Sequence, residues 1–348
     1  MSLADRIARC RTPLLVQHRA TGEIVQLDGP AEHARAVAEC PIRFALADEL
    51  TRLATALAYS RGTRHLDCAD LLRVPAERLW VEWCEQPLQR ELQGYGFAPA
   101  TTCGSALAGR RGVLIRASAD GRSGTLRTFW SMDDSEHGVL ASSMEAWFDL
   151  DTAEGESPAA SGRPAIAVCD SLAQADMLSR CFRFGFERSW QAYYDRAALS
   201  ALERRAIVHH ALGTIALDVP VLLAFLLLLA TRSSLPQRDR RFERLNRRRA
   251  RECKPPLLDY IEVTSPLPLY GPPGPWTAHG GPLRRHARLH HVRGHLVRRG
   301  NAVFWRVPHL RGDARAGTIR SRTVTWTFDE PAASRLTAVN EPSVRSTH

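Results

Sequence analysis

A chain of 348 residues is long enough for about two domains, each with its own core, and needs no covalent staple. Its eight cysteines (Cys10, Cys40, Cys68, Cys84, Cys103, Cys169, Cys181, Cys253) stand singly, without a C-x-x-C pair, and MSLADRIARC carries no apolar leader, which argues against a disulfide scaffold, a thiolate zinc site and secretion, and for a reducing, cytoplasmic setting. The formal charge of +10 is unevenly placed: residues 1–231 hold 24 Arg against 28 acids (−4), while residues 232–348 hold 23 Arg plus Lys against 9 acids (+14).

The opening 40 residues show no sustained period and end before Pro41. From Phe44 to Tyr59, Leu46, Leu50, Leu53 and Leu57 recur at spacings of three and four and predict an amphipathic helix. Strands are expected at Leu79 to Cys84, Gly112 to Ala117 and Thr125 to Ser131, each β-branched or aromatic-rich and bounded by turn residues. Trp80 and Trp83 then point to opposite faces of their strand, where core packing is the simplest role. This outlines an α+β fold whose N-terminal mixed α/β domain covers residues 1–150.

Residues 151–164 combine acids, Ser, Gly and Pro without an apolar period and predict a linker. A short strand is expected at Ala165 to Cys169, then a helical segment to residue 231 in which Leu178, Phe182 and Phe186 lie four apart. That segment ends in the apolar run Val219 to Thr231. The run is shorter than the roughly 20 residues a membrane span needs, so it predicts a core helix and no membrane partner. His209 and His210 fall in the helical part and suggest packing or surface positions.

Residues 232–282 form a basic stretch followed by a Pro/Gly-rich connector. As a helix, Arg232 to Lys254 would show arginine on nearly every side, so an extended or induced segment is expected. Leu257 to Val263 predicts a strand, and residues 329–348 a flexible tail.

Residues 283–328 are expected to form a small, basic antiparallel β module. Gly300-Asn301 sits where a two-residue hairpin turn needs positive φ, which sets Arg299 opposite Ala302, Val297 opposite Phe304, His295 opposite Arg306 and Arg293 opposite Pro308. One face then gathers Val292, Leu296, Val303, Trp305 and Val307; the other gathers His291, Arg293, His295 and Arg306, with Val297 and Phe304 near the turn. Thr323 to Phe328 supplies a third strand.

Histidine and arginine on one face have the chemistry of a phosphate site, since guanidinium forks grip phosphate and imidazole moves protons near neutral pH. His309 and Arg311, in the loop PHLRG, could join that face. The spacing of His286, His290, His291 and His295 resembles a metal pair only on a helix, which Gly294 disfavours, and H-E-x-x-H is absent; no metal is expected. There is no P-loop, G-x-G-x-x-G or G-x-S-x-G motif, so no cofactor is expected.

LNRRRARECKPPLLDYIEV (Leu245 to Val263), HHVRGHLVRRGNAVFWRVPHLRG (His290 to Gly312) and SRTVTW, with the preceding LLAFLLLLATRS, resemble the C-terminal part of uncharacterised proteins of bacteriophages, prophages and plasmid-like regions. A looser likeness covers LLRVPAERLWVEW. The resemblance implies a phage or mobile-element setting and transfers no catalytic residue.

The expected function is that of a nucleic-acid-associated accessory protein, with DNA or RNA as partner and a phage or host protein as a further one. Arg247, Arg248, Arg249 and Arg251 would supply salt-sensitive phosphate attraction, and Arg293, His295, Arg306, His309 and Arg311 an ordered contact face. Two alternatives stay open: a metal-independent ribonuclease using His291, Arg293 and His295, and a virion or assembly component.

Overall fold

The computed structural model describes residues 1–18, 21–59, 65–88, 109–131, 138–152, 174–197, 199–231, 235–265, 288–292, 295–299, 302–306, 309–311 and 313–318. The opening residues, featureless by periodicity, fold into helix α1 (Leu3–Ile7), strands β1 (Leu14–Gln17) and β2 (Ile24–Leu27), and helix α2 (Pro30–Ala38). Strand β3 (Ile42–Leu46) leads through helix α3 (Asp48–Tyr59) and a 3-10 helix (His65–Leu71) to β4 (Arg78–Cys84). Next come β5 (Arg110–Ala117), β6 (Ser123–Ser131), β7 (Val139–Ala141) and β8 (Met144–Asp149). Helix α4 (Ala175–Cys181), strand β9 (Phe182–Phe186), and helices α5 (Arg188–Arg196) and α6 (Ala201–Ala230) follow. After them come β10 (Gln237–Arg240), helix α7 (Glu243–Arg251) and β11 (Tyr260–Val263).

Nine of these strands form one mixed sheet in the order β10-β11-β3-β4-β5-β6-β8-β9, with β7 also paired to β6. The crossover from β3 through α3 makes β4 parallel to β3, and β11 returns parallel on the other side of β3. The pairings from β4 to β9 are antiparallel. The sheet therefore crosses the boundary expected at residue 150, because β9, β10 and β11 complete it. The expected linker at 151–164 lies almost wholly outside the described residues, and the expected strand at Ala165 to Cys169 does so entirely.

Helices cover both faces of the sheet. On one side Leu3, Ile7, Val37, Trp80, Leu114 and Phe129 form a smaller core under α1 and α2. On the other, α3, α4 and α6 close a larger core that includes Val81, Trp83, Val113 and Phe184. Trp80 and Trp83 do face opposite ways, and both are fully buried. Burial on both faces explains why β4 and β5 carry near-continuous apolar runs. Gly112 is demanded by this packing: a Cβ there would stand 2.3 Å from Cζ2 of Trp80, which crosses the neighbouring strand.

Two expected helices are corrected. Phe44 and Leu46 belong to β3, and α3 starts only at Asp48, so the three-and-four spacing overran a strand-to-helix junction. Phe182 and Phe186 lie in β9, where Phe182, Phe184 and Phe186 are buried at the spacing of two that a strand gives.

Helix α6 is also longer than its apolar run suggests. It spans 30 residues from a capping box at Ser200 and Glu203, and it is the one helix among the described residues long and apolar enough to cross a membrane. Shortness is therefore not what marks it as a core helix. Its second half is enclosed by the chain itself, with Val221 to Leu228 all buried against α3 and the sheet. Each such leucine contributes about 1.5–3 kcal/mol of gross burial.

A buried charge lies within that helix. Asp218 is fully buried and accepts from Arg111 Nη1 at 3.2 and 3.3 Å, while Arg111 Nη2 donates to the buried Glu85 at 3.0 Å. Burial pushes the Asp218 carboxyl up to about 6, against the opposing pull of Arg111. Burial lowers the guanidinium's own value, but Asp218 and Glu85 outweigh it and raise it. Removing the cation leaves two carboxylates in an apolar interior, so Arg111→Met is expected to cost about 3–5 kcal/mol, measured by urea unfolding, with most of the loss recovered when Asp218→Leu and Glu85→Leu are added. The pH dependence has a definite sign: Asp218 holds its proton more tightly folded than unfolded, so its stabilisation is complete below pH 3.8 and lost as pH rises through about 6. Asp218→Asn should remove that component from the pH profile of the unfolding midpoint.

Candidate nucleic-acid interface

The basic stretch is extended over β10, as expected, but helical over Glu243–Arg251. Arginine is a good helix former, Glu243 lies in the first turn and Arg248, Arg249 and Arg251 in the last, which suits the helix dipole. The structure also sorts the side chains. Arg244, Arg247, Arg248 and Arg251 lie at i, i+3, i+4 and i+7, one continuous stripe, and all four are exposed. The half-buried residues Phe242, Asn246 and Arg249 share the opposite side. Asn246 clips the helix to its following loop through two bonds, donating to the Leu257 carbonyl and accepting from the Leu257 amide, both at 2.8 Å. Arg249 Nε donates to the Pro255 carbonyl at 2.8 Å, so this arginine of the expected set is turned inward.

Carboxylates neutralise part of the surface only. Arg240 pairs with Glu262, Arg241 with Asp239, and both Arg248 and Lys254 with Glu252, whose carboxyl those two cations hold below its ordinary value. Arg244, Arg247 and Arg251 have no carboxylate within ion-pair distance among the described residues. The exposed Arg248–Glu252 pair is worth at most about 1 kcal/mol and opens readily to a competing phosphate.

A second cationic element adjoins α7. Arg9 Nη2 donates to the Pro256 carbonyl at 3.3 Å, and the Leu258 amide donates to Asp5 at 2.7 Å, so the loop after α7 is laid along α1. Arg11, exposed just past α1, is held by the carbonyls of Ala8 and Cys10. Arg6, Arg9 and Arg11 were not singled out from sequence. The spacing R-x-x-R-x-R was visible there, but its meaning depends on a contact 247 residues away along the chain.

The C-terminal strands are β12 (Arg288–Val292), β13 (His295–Arg299), β14 (Ala302–Arg306), β15 (His309–Arg311) and β16 (Asp313–Thr318). The β13–β14 hairpin has the register expected from Gly300-Asn301: His295 opposite Arg306, Val297 opposite Phe304, Arg299 opposite Ala302. The β12–β15 ladder continues that register, with His290 opposite Arg311 and Val292 opposite His309. His291 is opposite Leu310 in that register. Arg293 and the strand expected at Thr323 to Phe328 lie outside the described residues. Beside β12 stands β16 instead, and that pairing is parallel, so the strands are not all antiparallel as expected.

The hairpin and α7 are anchored in different layers. Arg298 grips both carboxylate oxygens of Asp70 at 3.0 and 2.7 Å and the Asp67 carbonyl, on the 3-10 helix of the larger core. The loop after α7 instead packs Leu258 against the smaller core under α1 and α2. The two halves of the expected site thus hang from opposite faces of the sheet.

No protein-family model, curated protein or solved structure matches the chain. The candidate interface is therefore defined by its own chemistry: a stripe of guanidinium groups on a clipped helix, with Arg9 and Arg11, just past α1, beside the loop that follows it. Asn246→Ala removes both bonds that clip α7, a loss of about 1–3 kcal/mol of local stability at 0.5–1.5 each, and should show as faster amide hydrogen exchange over 243–251 with the sheet unchanged.

Proposed function

We propose that this chain binds nucleic acid through its phosphate backbone, as an accessory protein of a phage or mobile element acting in the cytoplasm. The observation that carries this reading is the exposed stripe Arg244, Arg247, Arg248 and Arg251, three of whose members have no carboxylate partner among the described residues. Guanidinium groups spaced along one face of a helix whose backbone is clipped in place meet a polyanion without ordering of the main chain, and each displaces condensed counterions from it. Arg9 and Arg11, just past α1, add cationic charge beside the loop that follows α7. His295 and Arg306, opposite one another in the register of the hairpin, belong to the same proposed contact surface.

Contact with about four phosphates predicts that log affinity falls with log salt at a slope of roughly −3 to −4. Arg247→Ala together with Arg251→Ala should flatten that slope by about two and weaken DNA and RNA of any sequence alike. Fluorescence anisotropy across a salt series measures both; an affinity indifferent to salt, or to the double replacement, would refute the proposal.

A further inference from the structure

Next to the α1 arginines lies a cavity of about 700 Å³, within the range of small-ligand sites. It is walled by the end of α1, β1, the β6–β7 edge, α5 and the exposed first half of α6. Trp130 and Trp190 give it aromatic walls, Arg6, Arg9 and Arg11 give it cationic ones, and His210 lines it as well. Trp190 is oriented without any ligand: its indole Nε1 donates to the Asp28 carbonyl at 2.9 Å, and its ring lies 5.8 Å from that of Tyr194. Arg9 brings a buried Nε that has no hydrogen-bond partner among the described residues, although the same side chain reaches Pro256 beneath α7. Leu14, Leu140 and Ala141 supply much of the remaining wall.

A recess with aromatic walls and guanidinium groups at its rim suits a ligand that is flat and apolar at one end and anionic at the other. An unpaired nucleotide has that character, since its base offers a face to tryptophan and its phosphate pairs with arginine. A base inside a duplex does not, because both its faces are stacked on neighbours. We infer that the cavity takes one unpaired base of a single-stranded nucleic acid, with Trp130 and Trp190 beside the base, Arg9 and Arg11 at the adjoining phosphates, and α7 along the strand beyond. This rests on the nucleic-acid reading above and adds to it a preference for single strands.

The test uses the full chain and four probes: labelled oligo-dT and oligo-U of about 12 nucleotides, a duplex of the same length, and thymidine monophosphate as competitor. At least one single strand is expected to bind roughly tenfold or more tightly than the duplex. Trp130→Ala should bring that ratio close to one. So should Leu140→Trp, which fills the recess from a strand position that is already 39% exposed, and whose folding is checked by thermal melting. Equal binding of duplex and both strands would overturn the inference while leaving the phosphate reading intact. A ratio that survives in folded Leu140→Trp, or displacement of the 12-mer by the mononucleotide at comparable affinity, would overturn it too. Failure of the wild type to bind any polymer at low salt would end both readings.

Discussion

Asp218 lies just before the stretch of α6 that is aliphatic on nearly every side, and its pairing with Arg111 is what tells one placement of that helix from another. A leucine-rich cylinder on an apolar sheet gains nearly as much burial after sliding a turn or rotating by one residue. A buried carboxylate does not tolerate such a slip, because moving it from the guanidinium strands a charge in the interior. Tyr59 adds to the same point, its hydroxyl donating to the Leu217 carbonyl at 3.4 Å. With α6 fixed, α3 and α4 have a defined surface to pack on, and the sheet can be apolar on both faces without losing its register.

The elements that carry the proposed chemistry are all attached to the rim of this core. Helix α7 is an excursion between the edge strand β10 and its neighbour β11, so its two flanks are set by sheet hydrogen bonds and its middle by Asn246. Helix α1 is held from below by Glu82, which accepts from the Leu3 and Ala4 amides, from Trp80 and from Arg110. That carboxylate is buried yet fully satisfied, and so it costs little. The result is a rigid support for arginines, whose long side chains keep their own freedom at the surface.

The sequence made some of this legible and hid the rest for identifiable reasons. Strands β4, β5 and β6 were marked because β-branched and aromatic runs end at turn residues, and the β13–β14 register because a Gly-Asn turn admits few pairings. The length of α6 was hidden because its first half, ALERRAIVHH, is polar and solvent-facing while only the second half is apolar. The spacing of Phe182 and Phe186 satisfied a helix and a strand equally, and only pairing with β8 decided it. The stripe on α7 was missed because counting arginines around an isolated helix ignores the loop that claims one side of it. The cavity was missed because it draws on seven elements from Met1 to Ala211, none of which carries a motif of its own.

The position of β11 has a consequence for how the polypeptide is made. Residues 261–263 pair with residues 44–46, so β3 stays an unprotected border of the sheet until more than two thirds of the chain has left the ribosome. Premature termination anywhere before β11 would leave that border open to edge-to-edge association with other nascent chains. Long-range closure of this kind also makes the last step of assembly slow, and it places the arginine helix, carried on the closing segment, among the final parts to reach its native position.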